Sequence, residues 1–175
     1  MKTLLLVLFA ATLFSGCKKD KGEDQLPPAT QIGANTFGCK INGKVFVPKG
    51  YDGTGRSNPH IQYDFDLQGH PYLSIQASQF ASGTGNGGVD VGFNEINSIG
   101  YYNIGNLFSI AFGWSNEIGN CGSASWYNNV YYQGGGIITK LDITNRIISG
   151  TFDCKFKTPD CDTTYITDGR FDIRF

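Results

Sequence analysis

The sequence predicts an all-β fold: an antiparallel β-sandwich of about ten strands, with a closed or partly open β-barrel as the alternative. Apolar and polar residues alternate in short runs, and turn residues separate these runs about every 8 to 12 positions. No stretch carries the three-and-four spacing of an amphipathic helix. Composition agrees, because 24 glycines, 14% aromatics and only 17% charged residues leave no Ala/Glu/Lys/Leu-rich stretch from which to build a helix bundle. At 40% apolar content, a chain of 175 residues has enough to bury a core.

The N-terminus reads as an address. After Met1 and Lys2, an apolar run from Leu4 to Phe14, broken only by Thr12, ends in Ser15-Gly16-Cys17. That run is about half the roughly 20 residues needed to span a bilayer, so residues 1–16 are expected to be an export signal. Small residues before Cys17 resemble the bacterial lipobox, in which the thiol receives a diacylglyceryl group and the chain is cut just before it. Lipidation at Cys17 would anchor the protein without a spanning segment. The charged, proline-ended stretch that follows predicts a solvated tether over 17–34, leaving one all-β domain over 35–175.

Strand by strand, Phe37, Cys39 and Ile41 alternate, and Asn42-Gly43 turns the chain into Lys44 to Val47, because both turn positions tolerate positive φ. Ile61, Tyr63, Phe65 and Leu67 are expected to face inward against polar neighbours, and Gly69-His70-Pro71 to turn the chain into a strand carrying Leu73, Ile75 and Ala77. Further strands are read around Val89 to Phe93 and Phe108 to Phe112. Val130 to Tyr132 and Ile137 to Ile143 read as two separate strands. Ile147 to Phe156, Thr163 to Thr167 and Arg170 to Phe175 complete the sheets, with a bulge or tight turn at Asp168-Gly169.

Five cysteines, less Cys17, leave Cys39, Cys121, Cys154 and Cys161 in a chain expected to leave the reducing cytoplasm, so two disulfides are expected. Three connectivities are possible, and spacing favours Cys154 with Cys161, which a hairpin tip at Lys157-Thr158 would set opposite each other, leaving Cys39 for Cys121.

Gly38 to Pro48, Ile147-Ile148-Ser149-Gly150-Thr151-Phe152 and Ile166-Thr167-Asp168-Gly169-Arg170-Phe171-Asp172 resemble a family of uncharacterised Bacteroidota lipoproteins with a domain of unknown function. The likeness runs from about Leu26 to Phe175 and is loose across the middle. It implies an all-β extracytoplasmic domain on a lipid tether and brings no reaction or ligand; the outer membrane is expected from the basic-then-acidic order after Cys17, which resembles the tether signals of Bacteroidota outer-leaflet lipoproteins. The motif residues read as structural: Gly150 and Gly169 suit bulges, Phe152 and Phe171 the core, and Arg170 a pairing with Asp168 or Asp172.

Balanced charge, 14 basic against 15 acidic residues, argues against nucleic acid as a partner. The expected partners are the membrane, through the anchor, and a glycan or protein ligand; no cofactor is expected. Tyr101, Tyr102, Trp114, Trp126, Tyr127, Tyr131 and Tyr132, interleaved with Asn, Gly and Ser, are the candidate binding residues, since flat rings with polar tips on adaptable segments suit recognition. His60, Asp64 and Asp66 share a strand face and form a weak metal candidate beside the plainer reading of a polar outer face. No catalytic constellation is complete. A glycan-directed hydrolase, with Asp64, Asp66, Glu95 and Glu117 as its candidate acids, is the second reading, and a purely structural envelope lipoprotein the third.

Overall fold

The computed structural model describes residues 25–50, 55–80, 87–114, 123–124, 131–157 and 163–175. Eleven strands lie among them: β1 (Thr36–Ile41), β2 (Lys44–Phe46), β3 (His60–Phe65), β4 (Pro71–Gln79), β5 (Gly87–Asn94), β6 (Gly100–Asn103), β7 (Phe108–Trp114), β8 (Ser123–Ala124), β9 (Tyr131–Asp142), β10 (Ile147–Lys157) and β11 (Thr164–Arg174). They form two open antiparallel sheets, ordered β2-β1-β11-β10-β9-β6 and β3-β4-β5-β7-β8. The fold is a β-sandwich, and neither sheet closes into a barrel.

Alternation sets the core. Phe37, Cys39 and Ile41 of β1, Leu73, Ile75 and Ala77 of β4, and Val89, Val91 and Phe93 of β5 all point inward and are buried. Phe93 of one sheet meets Phe171 of the other with ring centroids 5.6 Å apart, and Phe112 meets Phe156 at 5.3 Å. At the β1–β2 turn, Asn42 and Gly43 take φ of 49° and 81°, as the dipeptide predicts.

The two closing motifs explain one another. Gly150 lies directly across from Phe171, and Phe152 directly across from Gly169, on the inner face of the β10–β11 pair. Each ring lies over the other motif's glycine, so a Cβ at Gly150 or Gly169 would run into a phenyl ring and a carbonyl oxygen at once. Asp168, with φ of 54°, belongs to a bulge, and β11 runs through it as one strand.

Several expectations are corrected. β9 is a single strand, because the glycines of its Gly134–Gly136 run make room for neighbouring rings: Gly135 lies beneath Tyr101, and Gly136 against Phe93 and Phe108. β6 and β8 were not expected. β3 stops at Phe65, since the turn is built by Asp66 to His70, with the Asp66 N–H donating to the His70 carbonyl at 2.9 Å. Phe65 is therefore exposed, and Leu67, at the turn, is 100% exposed.

The disulfide expectation fails at the register. Cys154 lies opposite Ile166, and Phe156 opposite Thr164, which is not the register that a hairpin tip at Lys157-Thr158 requires. Cys39 and Cys154 are free and buried, packed as small apolar side chains, and burial pushes both thiols up to about 12. Cys17, Cys121 and Cys161 lie outside the described residues.

Within the expected tether over 17–34, the described residues 25–34 are held on the sheet. Residues 25–34 lie along the outer face of the six-stranded sheet, where the Asp172 carboxylate accepts hydrogen bonds from Thr30 Oγ1 at 2.6 Å and from the N–H groups of Ile32, Gly33 and Ala34 at 3.1, 2.8 and 3.2 Å. Ser149 Oγ donates to the same carboxylate at 2.8 Å. Asp172 is thus not an Arg170 partner.

Candidate binding site

Strand register lays out the outer face of the six-stranded sheet as a grid. One row runs Tyr101, Ile137, Thr151, Arg170 and Gly38 across β6, β9, β10, β11 and β1. The next row runs Asn103, Gly135 and Asp153, continued by Asp168 at the bulge and by Lys40. Neighbours in a row are about 5 Å apart and rows about 7 Å apart, so these side chains share one surface.

A groove of about 340 Å³ opens on that surface. It is lined by Gly135 and Ile137 of β9, Thr151 to Asp153 of β10, Asp168 to Arg170 of β11, and Ala29 of the N-terminal segment. The glycine is what shapes it: with no Cβ at 135, the Tyr101 ring can lie down across β9, and its hydroxyl donates to the Gly134 carbonyl at 3.1 Å. One side of the ring rests on the sheet while the residue stays 61% exposed, which leaves an aromatic platform beside the groove.

The charged groups are fixed to different degrees. Lys40 Nζ stands 2.9 Å from the Asp168 carboxylate, and this hydrogen bond, followed by the lysine charge, holds the Asp168 carboxyl below its usual range. Arg170 is aimed by its Nε donating to the Asp168 carbonyl at 3.2 Å and by Nη1 reaching the Pro27 carbonyl at 3.5 Å. Asp153 is exposed at the groove and lies across from Gly135, next to the Tyr101 ring. A flat ring, a hydroxyl, a carboxylate and a guanidinium on one rigid face can stack on a ring-shaped ligand and bond its hydroxyl groups.

Of the seven aromatic candidates, the structure separates the adjacent pair by strand alternation. Tyr101 faces outward, whereas Tyr102 is only 7% exposed, packs edge-on against Phe93 at 5.7 Å, and donates to the Ser98 carbonyl at 2.7 Å. Tyr102 is a core residue. Trp126 and Tyr127 lie outside the described residues, and for Trp114, Tyr131 and Tyr132 only the strand positions are described.

The His60, Asp64 and Asp66 set is not assembled. Asp66 lies in the turn beyond β3, where the His70 and Gln68 N–H groups donate to its carboxylate at 2.8 and 2.9 Å and His70 Nδ1 lies 3.1 Å from it. The His70 backbone bond comes first among the causes that lower its carboxyl. Asp64 accepts from the Phe65 N–H at 2.8 Å, and among the described residues no three metal-ligating side chains gather as a site. Glu95 is exposed in the connection after β5, and Glu117 lies outside the described residues.

Thr151, Asp153, Asp168 and Arg170 were not read as a site. Their signal was present in the outward alternation Thr151-x-Asp153, but only the register shows that β11 sets Arg170 beside Thr151. No protein family, curated protein or solved structure matches this chain.

Proposed function

We propose that the chain is a lipid-anchored, extracytoplasmic, non-catalytic binding module that holds a glycan on the outer face of its six-stranded sheet. The observation that carries this reading is the Tyr101 ring laid over Gly135 beside the groove that contains Thr151, Asp153 and Arg170. A sugar ring stacks on the exposed side of the tyrosine, and its hydroxyl groups bond the carboxylate and guanidinium. The anchor part rests on the export run and the lipobox resemblance at Cys17, together with the likeness of the closing motifs to Bacteroidota lipoproteins.

A glycan array read with the purified protein is expected to give at least one class of hit. Tyr101→Ala should weaken that binding about tenfold, equivalent to about 1.4 kcal/mol, and Asp153→Asn should weaken it without altering the melting temperature. Tyr102→Phe should leave affinity unchanged. An array with no hits, or hits indifferent to Tyr101, would refute the reading. When the chain is expressed with its export signal, it should fractionate with membranes, and Cys17→Ser should release it.

A further inference from the structure

We infer that residues 25–34 form a releasable strap that walls the groove and is fastened chiefly by the Asp172 carboxylate. Three observations place it. Ala29 lines the groove itself. Upstream, Leu26 and Pro27 lie so close over Gly38 that a Cβ there would sit 2.8 Å from the Pro27 ring, and the Pro27 carbonyl meets Arg170. Downstream, all the strap's bonds to Asp172 converge on one carboxylate, from Thr30 and from three successive N–H groups.

The mode of attachment sets the strap apart from the strands. β1, β10 and β11 are joined by ladders of backbone hydrogen bonds, whereas residues 30–34 adhere mainly through one β11 side chain, Asp172, with Lys140 Nζ donating to the Gln31 carbonyl at 3.0 Å, Arg174 Nη2 to the Ile32 carbonyl at 3.3 Å and Gln31 Nε2 to the Thr139 carbonyl at 3.5 Å. Losing that carboxylate would undo four of the strap's bonds together while leaving every ladder intact. Release of the strap would remove one groove wall and free the Arg170 guanidinium from Pro27.

The strap itself is independent of any ligand; only its effect on ligand rests on the groove reading. Hydrogen exchange on the full chain tests the strap. In the wild type, the Ile32, Gly33 and Ala34 amides should be protected. In Asp172→Asn they should exchange more than tenfold faster, while the β10 and β11 amides stay protected by orders of magnitude. Thr30→Val, which removes one bond from a half-buried position, should raise strap exchange about tenfold, and it decides the matter if the asparagine variant does not fold. Unchanged strap exchange, or strand amides losing protection in step with the strap, would overturn the inference. A glycan that binds the wild type should bind Thr30→Val several-fold more weakly, and equal affinity would show that the strap is not a groove wall. If no glycan binds the wild type, the groove reading fails and the exchange result still judges the strap.

Discussion

Gly150→Ala and Gly169→Ala are each expected to destabilise the protein by about 3 kcal/mol, the upper end of what one added methyl costs in a packed core. At either position the new Cβ meets two obstacles. One is the cross-strand phenyl ring, Phe171 or Phe152, and the other is a carbonyl oxygen, of Ile137 or of Phe152. A ring can turn aside, but a carbonyl in a ladder cannot without breaking its hydrogen bond. Shortening the ring should therefore not rescue the glycine variants: Gly150→Ala with Phe171→Leu should remain at least as unstable as Gly150→Ala alone. Phe171→Ala and Phe152→Ala should cost about 3 to 5 kcal/mol each, since both rings lie in the core. At this chain size, 3 kcal/mol corresponds to a fall of about 10 °C in melting temperature, which thermal unfolding can read. Recovery of wild-type stability in the double variant would show that the carbonyl is not the obstacle.

Acid is expected to find Asp172 next. Its side chain is buried, 1% exposed within the strap and sheet, and burial alone would raise the carboxyl. The bonds from Thr30, Gly33, Ile32 and Ser149 outweigh that effect and hold it at about 2, against an ordinary value of 3.8. A carboxyl lowered on folding stabilises the native state fully above its unfolded value, and that stabilisation is lost as pH falls through the folded value. Between about pH 4 and pH 2, roughly 2 kcal/mol should disappear from this one group. Urea unfolding at stepped pH measures the slope. In Asp172→Asn the fall over that window should be shallower by about that amount, with stability already reduced at pH 7. Parallel slopes in the two proteins would assign acid sensitivity to other carboxyls.

The strands that the sequence made legible are those in which side-chain period and core face agree. β4 and β5 alternate without interruption, and the structure buries Leu73, Ile75, Ala77, Val89, Val91 and Phe93 as that alternation requires. Glycine misled where it serves packing. Gln133 to Gly136 has the composition of a loop, yet it continues β9, because two of its glycines sit beneath rings supplied by distant strands. A local window holds no record of which ring will arrive. Phe65 and Leu67 misled in the opposite sense: their alternation continues that of Ile61 and Tyr63, but Asp66 draws the chain into a turn by accepting the His70 and Gln68 N–H groups. Half of the candidate site was visible in Tyr101, whose outward face follows from strand parity once β6 is known. Arg170 and Asp153 belong with it only through the β9–β10–β11 register, which joins residues far apart in the chain.

The outer margins of the two sheets are unequal. Among the described residues, β2 has three residues and is followed closely by Pro48, and β6 has four, so each offers little backbone to a newcomer. β3 is different: at the margin of its sheet, it pairs with β4 over six residues in unbroken register, from His60 to Phe65. Intermolecular strand addition, and with it aggregation at high concentration, would start there, with the charge of Asp64 as its main deterrent.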